Sequence, residues 1–345
     1  MSAAALSLIS VESPASSSVP SVPRRQPEAY SAPGPFQLPA QAVMQPLATA
    51  RSYRAFSYWE ERLGSEVRRT TLERTFRLTA AVHDGHLVVS YEADPPQLRK
   101  PNPSALEQVL LLLAGLYQQL ELRLTPTGQL TEVLNQAAVT QTWQRIRQEL
   151  IQRSGGEDDL TRTLLDGLDA ALPRPGYLLA SLRYDYLWLL LLGNHYQQQF
   201  EHGRRYGQPL AFAQFFPDTT LWFHDQLELT APTLPGCVAW RCRGTLDTRR
   251  TDLPAVCGQL LVALYPEDPD PGTDAATSEA EASDVTAAAA PPRPVFHPAE
   301  VRATYDATYE LDAATGWPVL LDASVQCGIP GHYSKEYFLR LEYLV

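Results

Sequence analysis

The chain has 345 residues and a formal net charge of -11 at pH 7, from 28 Lys and Arg against 39 Asp and Glu. Because such an acidic chain gains no counterion release on a phosphate backbone, we do not expect it to bind nucleic acid. Its length corresponds to about two typical domains, or to one domain with long appendages, and a hydrophobic share of 44% supplies an ordinary core.

Two segments have compositions that disfavour folding. Residues 1–50 are rich in Ser, Pro and Ala, and residues 266–294 carry seven carboxylates with no basic residue before Arg293. Such segments bury too little apolar surface to offset the entropy cost of ordering the chain. We therefore predict a disordered arm at 1–50 and an acidic disordered linker or loop insertion at 266–294. Residues 51–265 and 295–345 are predicted to form one α+β domain, completed by its C-terminal strands.

The N-terminal apolar stretch at residues 3–9 is not preceded by Lys or Arg. A secretory signal would therefore lack its basic region, and we expect a cytoplasmic protein. The most apolar run, residues 187–192, is far shorter than the ~20 residues that a spanning helix needs. No membrane span is predicted.

The first elements are two hairpins with a helix between them. Apolar and polar residues alternate over 76–82 and 87–91, on either side of Asp84-Gly85, which is a strong hairpin signal. Ser104 and Glu107 form the pattern of a capping box, so a helix begins there and runs to about residue 119. Alternation over 120–124 and 129–134 predicts the second hairpin.

The pattern then becomes helical. Val139, Trp143, Ile146 and Leu150 fall on one stripe of a helix. A second helix is predicted around residues 160–168 and a third over 177–199, with the apolar run 187–192 as its most buried part.

The remainder is predicted as strands at residues 221–223, 227–229, 238–246, 259–265, 304–311, 319–325 and 337–343. The order of strands, helices and strands indicates an α+β fold, in which antiparallel β-sheet hairpins from the N- and C-terminal regions pack against a central helical block. Whether the two strand-rich regions share one sheet is left open.

Catalytic motifs are scarce. The sequence contains no phosphate-binding loop, no Gly-x-Gly-x-x-Gly turn and no Gly-x-Ser-x-Gly elbow. No catalytic, metal-binding or cofactor-binding residue is therefore assigned. His83 and His86 flank the Asp84-Gly85 turn, which favours a solvated hairpin tip over a metal site. The only two lysines, Lys100 and Lys335, do not lie in apolar segments, which disfavours amine chemistry.

The four cysteines, Cys237, Cys242, Cys257 and Cys327, include no Cys-x-x-Cys pair, which fits a reducing compartment. Cys242 is flanked by arginines and Cys327 lies five residues before His332, so either could be a nucleophile. The alternation of Cys242 with Trp240 favours a buried, inert thiol instead.

Aromatic residues are dense towards the middle of the chain. Gly207 and Pro209 predict an exposed loop over residues 199–217, and exposed aromatic rings near it would mark a partner site. The residues assigned to partner binding are Tyr206, Phe212, Phe215, Phe216, Trp222 and Phe223.

Three functional hypotheses follow. The first is a non-catalytic interaction or assembly protein that binds a protein partner through this aromatic surface. The second is a binding module for an apolar, lipid-like small molecule, which predicts a cavity of several hundred Å³. The third is an unrecognised hydrolase that uses His332, His224 or a cysteine, and it requires these groups to converge in one cleft.

Overall fold

The computed structural model describes residues 44–125, 128–154, 159–192, 204–265 and 297–344. The predicted acidic linker and most of the predicted N-terminal arm lie outside these ranges, so both stay predictions. Residues 44–50 contact the sheet: the Gln45 N–H donates to the Thr315 carbonyl at 2.9 Å, and the Gln45 carbonyl accepts the Trp317 indole N–H at 2.8 Å.

The described residues form a single 12-stranded antiparallel sheet. Its strands are β1 Arg51–Leu63, β2 Glu66–His83, β3 His86–Ala93, β4 Gln97–Leu98, β5 Gln119–Leu124, β6 Leu130–Val133, β7 Arg204–Ala213, β8 Thr220–Thr230, β9 Cys237–Leu246, β10 Arg302–Asp312, β11 Pro318–Ile329 and β12 Tyr333–Leu344.

Across the sheet the strands follow the order β6-β5-β3-β2-β1-β12-β11-β10-β9-β8-β7, and β4 pairs with β2 beside this path. Most neighbours follow one another in the chain, whereas β1 and β12 are the first and last described strands. Their register places Trp59 opposite Tyr337 and Glu61 opposite Lys335. The two strand-rich regions of the sequence therefore share one sheet.

Six α-helices occur in the described ranges: α1 Ala105–Ala114, α2 Gln136–Ser154, α3 Asp159–Ala171, α4 Tyr177–Arg183, α5 Tyr186–Leu191 and α6 Leu253–Leu264. Short 3₁₀ turns lie at Gly115–Tyr117 and Pro298–Glu300. None of the helices in this part of the chain is long and apolar enough to cross a membrane.

Side chains alternate between two faces of the sheet. On β12 the buried residues are Tyr333, Lys335, Tyr337, Leu339 and Leu341. They lie on the face that packs against α5, which we call the inner face, and the residues between them lie on the outer face.

The helix α5 contacts strands from distant parts of the sheet. Trp188 packs on Tyr91 of β3 with ring centroids 4.8 Å apart, and Tyr186 packs on Phe212 of β7 at 5.3 Å. These strands are eight strand steps apart, or roughly 38 Å on a flat sheet. Because α5 is only about 9 Å long, the sheet must curl around it.

Two hydrogen bonds fix α5 inside the curled sheet. The Tyr186 hydroxyl donates to the Ala213 carbonyl at 2.9 Å, and the Tyr309 hydroxyl donates to the Leu190 carbonyl at 3.2 Å. The second bond uses a carbonyl near the end of α5, where helical partners run out.

Several predicted elements are confirmed. The hairpin of β2 and β3 turns at Asp84-Gly85, where both residues have positive φ (51° and 78°), as a type I′ turn requires. Ser104 and Glu107 form the capping box of α1. The Val139, Trp143, Ile146 and Leu150 stripe of α2 is buried.

Other predictions are wrong, each for a local reason. Residues 259–264 belong to α6 instead of a strand, and Tyr265 is its C-cap, because the Asp252 carboxylate caps the start of the helix and Pro254 fits its first turn. The helix predicted from residue 177 is broken between α4 and α5, where Asp185 accepts the Leu187 N–H at 2.9 Å. The loop predicted over 199–217 contains β7, whose pairing shifts register near Pro209 at the sheet edge.

The α+β prediction holds in its coarse form, an antiparallel sheet with helices. A single large sheet dominates the described structure, so the predicted central helical block is not confirmed. Strand β1 and the first part of β2 were not predicted at all.

Replacing the buried Leu190 by alanine should lower the free energy of unfolding by about 2–5 kcal/mol, because a cavity would open where α5 meets the sheet. Leu190 is fully buried, whereas its neighbour Leu189 is partly exposed, so Leu189→Ala is the matched control and should cost less. Urea denaturation of both variants measures the difference. Equal losses would contradict the placement of α5.

Candidate functional site

The aromatic residues predicted to form a partner surface are mostly buried. Phe212, Phe215, Phe216 and Phe223 are at most 2% exposed, so the expectation of an exposed aromatic surface is wrong for these four. The reason is that Phe212 of β7 and Phe223 of β8 point onto the inner face, where Phe212 contacts Tyr186, while Phe215 and Phe216 lie between these strands and pack on each other, with Phe215 against Trp59.

The other two residues predicted to bind a partner are Trp222 and Tyr206. Trp222 is half-buried on the outer face of β8, with its ring 5.6 Å from the Arg250 guanidinium carbon. Tyr206 lies in β7, and its side chain is outside the described part of the structure. A partner-binding role for Trp222 and Tyr206 stays a prediction.

The thiols and imidazoles of the hydrolase hypothesis lie on different sides of the sheet. Cys242 and Cys327 are fully buried, and burial raises the pKa of the Cys327 thiol to about 12. The Cys242 thiol lies 3.9 Å from the Asp225 carboxylate on the inner face. His224 is on the outer face, 2.9 Å from Asp247, and His332 is exposed in the turn before β12.

The remaining histidines and acids do not gather either. His83 and His86 lie exposed at the β2–β3 turn, as predicted. Within the described ranges, no group of three or more His, Cys, Asp or Glu residues is arranged to hold a metal ion.

Thiol labelling of the native protein should modify Cys237 first and leave Cys242 and Cys327 unmodified. Cys237 is partly exposed, whereas Cys242 and Cys327 are buried, so the reagent should reach Cys237 first even though burial raises the pKa of the Cys237 thiol as well as that of Cys327. Mass spectrometry after timed alkylation gives the order of reaction. Rapid labelling of Cys327 in the folded protein would contradict the inert role described here.

Lys335 lies in apolar surroundings that its sequence neighbours did not indicate. Its ammonium is 3.3 Å from the Glu61 carboxylate, 4.9 Å from the Trp59 ring centre and 5.5 Å from the Phe216 ring centre. Burial lowers the pKa of Lys335, although Glu61 acts in the opposite direction.

Replacing Lys335 by methionine tests this burial through pH. With a lowered pKa in the folded state, the unfolded chain binds the proton more readily, so the contribution of Lys335 to stability rises as pH rises towards the ordinary lysine pKa. The unfolding free energy of K335M relative to the natural chain should therefore fall as pH rises towards the ordinary lysine pKa of about 10.4.

Denaturant titrations across this pH range measure the effect. Lys100→Met, which removes the chain's other lysine, is the control, because the Lys100 side chain is 32% exposed. An equal pH trend in both variants would contradict the assignment to Lys335.

A cavity of about 70 Å³ lies between α1, the inner face at β1 and β2, and the start of α5. Most of its wall is aliphatic. The apolar lining residues include Ala55, Leu72, Leu98, Leu110, Leu111, Ala114, Leu187 and Leu339.

Arg74 is the cationic group of this cavity. Its guanidinium donates to the Tyr91 hydroxyl at 3.3 Å, and no carboxylate of the described residues forms a direct ion pair with it, although Asp185 attracts it from the same cavity lining. Burial opposes the charge on Arg74, but Tyr91 and Asp185 outweigh this effect and raise its pKa. The Asp185 carboxyl attracts this guanidinium without forming a direct ion pair, whereas buried charges are normally paired directly.

Two more polar groups belong to residues that line this cavity. Burial raises the pKa of the Asp185 carboxyl, which lines the cavity while it caps α5. The indole N–H of Trp59, another lining residue, is buried and finds no acceptor among the described residues. This group of residues could not be predicted from local sequence patterns, because β2 and the cap of α5 are more than a hundred residues apart.

The cavity is smaller than the one that the lipid hypothesis predicts. A space of about 70 Å³ is around half of an engineered cavity of about 150 Å³ that binds benzene. Comparison with known proteins adds no assignment: no protein-family model matches the chain, and no curated protein matches it.

Proposed function

We propose that the chain is a binding module for a small organic acid with a short apolar tail, held in the cavity beneath α1. The observation that carries this proposal is the Arg74 guanidinium, which lies at an aliphatic cavity without an ion pair from the described residues. The proposal narrows the lipid-like ligand of the second hypothesis to a smaller molecule.

The guanidinium of Arg74 favours a ligand with a carboxylate head group. A guanidinium presents a planar set of donors that matches a carboxylate and binds it through two parallel hydrogen bonds. The charge-assisted bonds would replace the missing ion pair. The Trp59 indole N–H would supply a further donor if the ligand carries a second acceptor.

The aliphatic walls of the cavity favour a ligand with a short alkyl tail. Leu110, Leu111 and Ala114 of α1 face Ala55 and Leu72 across the cavity, so a short alkyl chain would be desolvated there. A long acyl chain would need α1 to move away from the sheet, since the available volume is about 70 Å³. The best ligand therefore has only a few carbon atoms.

The interaction hypothesis loses its main support, because four of the six aromatic residues assigned to a partner surface are in the core. Binding of a protein partner through Trp222 or Tyr206 stays a prediction.

Ligand-observed NMR with acetate, butyrate and octanoate tests the proposal. Butyrate should bind best, because acetate leaves the aliphatic wall unfilled and octanoate exceeds the cavity. Arg74→Gln should weaken butyrate binding by about tenfold or more, as expected for the loss of charge-assisted hydrogen bonds. The neutral analogue butyramide should bind the natural chain weakly.

Arg77→Gln is the matched control. Arg77 lies on the same strand three residues away and is exposed, so R77Q removes the same charge without touching the cavity. Circular dichroism establishes that both variants fold. Equal butyrate binding by R74Q and R77Q, or tightest binding of octanoate, would refute the proposed ligand.

A further inference from the structure

The outer face of the sheet carries a second concave site, remote from the cavity beneath α1. It is an open groove of about 390 Å³ where β1, β10, β11 and β12 meet near the β11–β12 turn. Its polar lining includes Arg62, Arg302, His332, Ser334, Thr304 and Gln326. None of its described lining residues is an aspartate or glutamate, although the chain carries a net charge of -11.

Strand pairing places two arginines on either side of two small residues. Arg62 is opposite Ser334, Ser334 is opposite Gly328, and Gly328 is opposite Arg302. The four positions form one row across four strands, so the two arginine backbones are about 14 Å apart. Long side chains at the ends of the row can both reach a molecule above its centre.

Gly328 leaves open space above the sheet near the middle of the row. A Cβ atom at this position would lie 2.1 Å from the Tyr333 carbonyl oxygen and 2.7 Å from the Ser334 Cα, which no side chain tolerates. The backbone geometry therefore requires glycine, and the row has no side chain at this point. The groove is a consequence of how β11 and β12 approach each other.

The positive charge of the groove is incompletely neutralised by the described residues. Arg302 donates to the carbonyls of Ala299 and Val301, at 2.6 and 3.3 Å, and these acceptors are uncharged. Arg62 donates to Glu60 at 2.6 Å, but the same carboxylate also binds Arg69. One carboxylate thus faces two guanidinium groups.

We infer that this groove binds a phosphate group, either as the free ion or as the ester of a small organic molecule. Arginine forks match phosphate oxygens, and a multivalent anion can use both arginines at once. The hydroxyls of Ser334 and Thr304 and the amide of Gln326 supply neutral hydrogen bonds beside them. The groove is large enough for an organic substituent on the phosphate.

Equilibrium dialysis with radiolabelled inorganic phosphate and with glycerol phosphate, at constant ionic strength, tests the inference. Constant ionic strength matters because salt screens exposed charges. We expect saturable binding with one site per chain, and a loss of about tenfold or more in Arg302→Gln. Tighter binding of the ester would identify an organic phosphate as the ligand, and equal binding would identify the phosphate ion.

Arg243→Gln is the matched control, because Arg243 is an exposed outer-face arginine on β9 outside the groove. It should leave the affinity unchanged. An absence of saturable binding, or an equal loss in R243Q and R302Q, would overturn the site. Butyrate binding at Arg74 is measured separately, so failure of one site leaves the other assignment unaffected.

Discussion

The packing of α5 inside the sheet is the constraint on which the rest of the structure depends. A helix of six residues contacts β3 through Trp188 and β7 through Tyr186, although these strands lie eight steps apart in the sheet. Contact with both requires the sheet to curl, and the curled sheet in turn buries the aromatic residues of β7 and β8. The Arg74 cavity also depends on α5, because its cap Asp185 forms part of the lining.

Local signals in the sequence predicted much of the fold. The Asp84-Gly85 turn, the Ser104 capping box and the Val139 to Leu150 stripe depend on neighbouring residues alone, and each is confirmed. The errors lie where tertiary contacts override local pattern. The strand β7 tolerates Pro209 because it is at the sheet edge with a shifted register, and no local pattern reports which strand becomes an edge.

Most residues of the candidate sites could not be predicted from the sequence. Aromatic density correctly indicated large apolar side chains, but it did not distinguish a core from an interface, and Phe212 and Phe223 are in the core. Arg74 and Asp185 come together only through the fold. The surroundings of Lys335 could not be predicted from the sequence either. The rings of Trp59 and Phe216, which lie near its ammonium, belong to other strands or turns.

The pairing of β1 with β12 affects how the chain is made. During synthesis β1 leaves the ribosome long before β12. The edge of β1 that will pair with β12 therefore has unpaired backbone groups until some 270 further residues have been made. Exposed strand edges recruit other chains. Arg54, Glu60 and Arg62 place charge along this strand, and such charge on a temporarily open edge would discourage nascent chains from joining one another before their own last strand arrives.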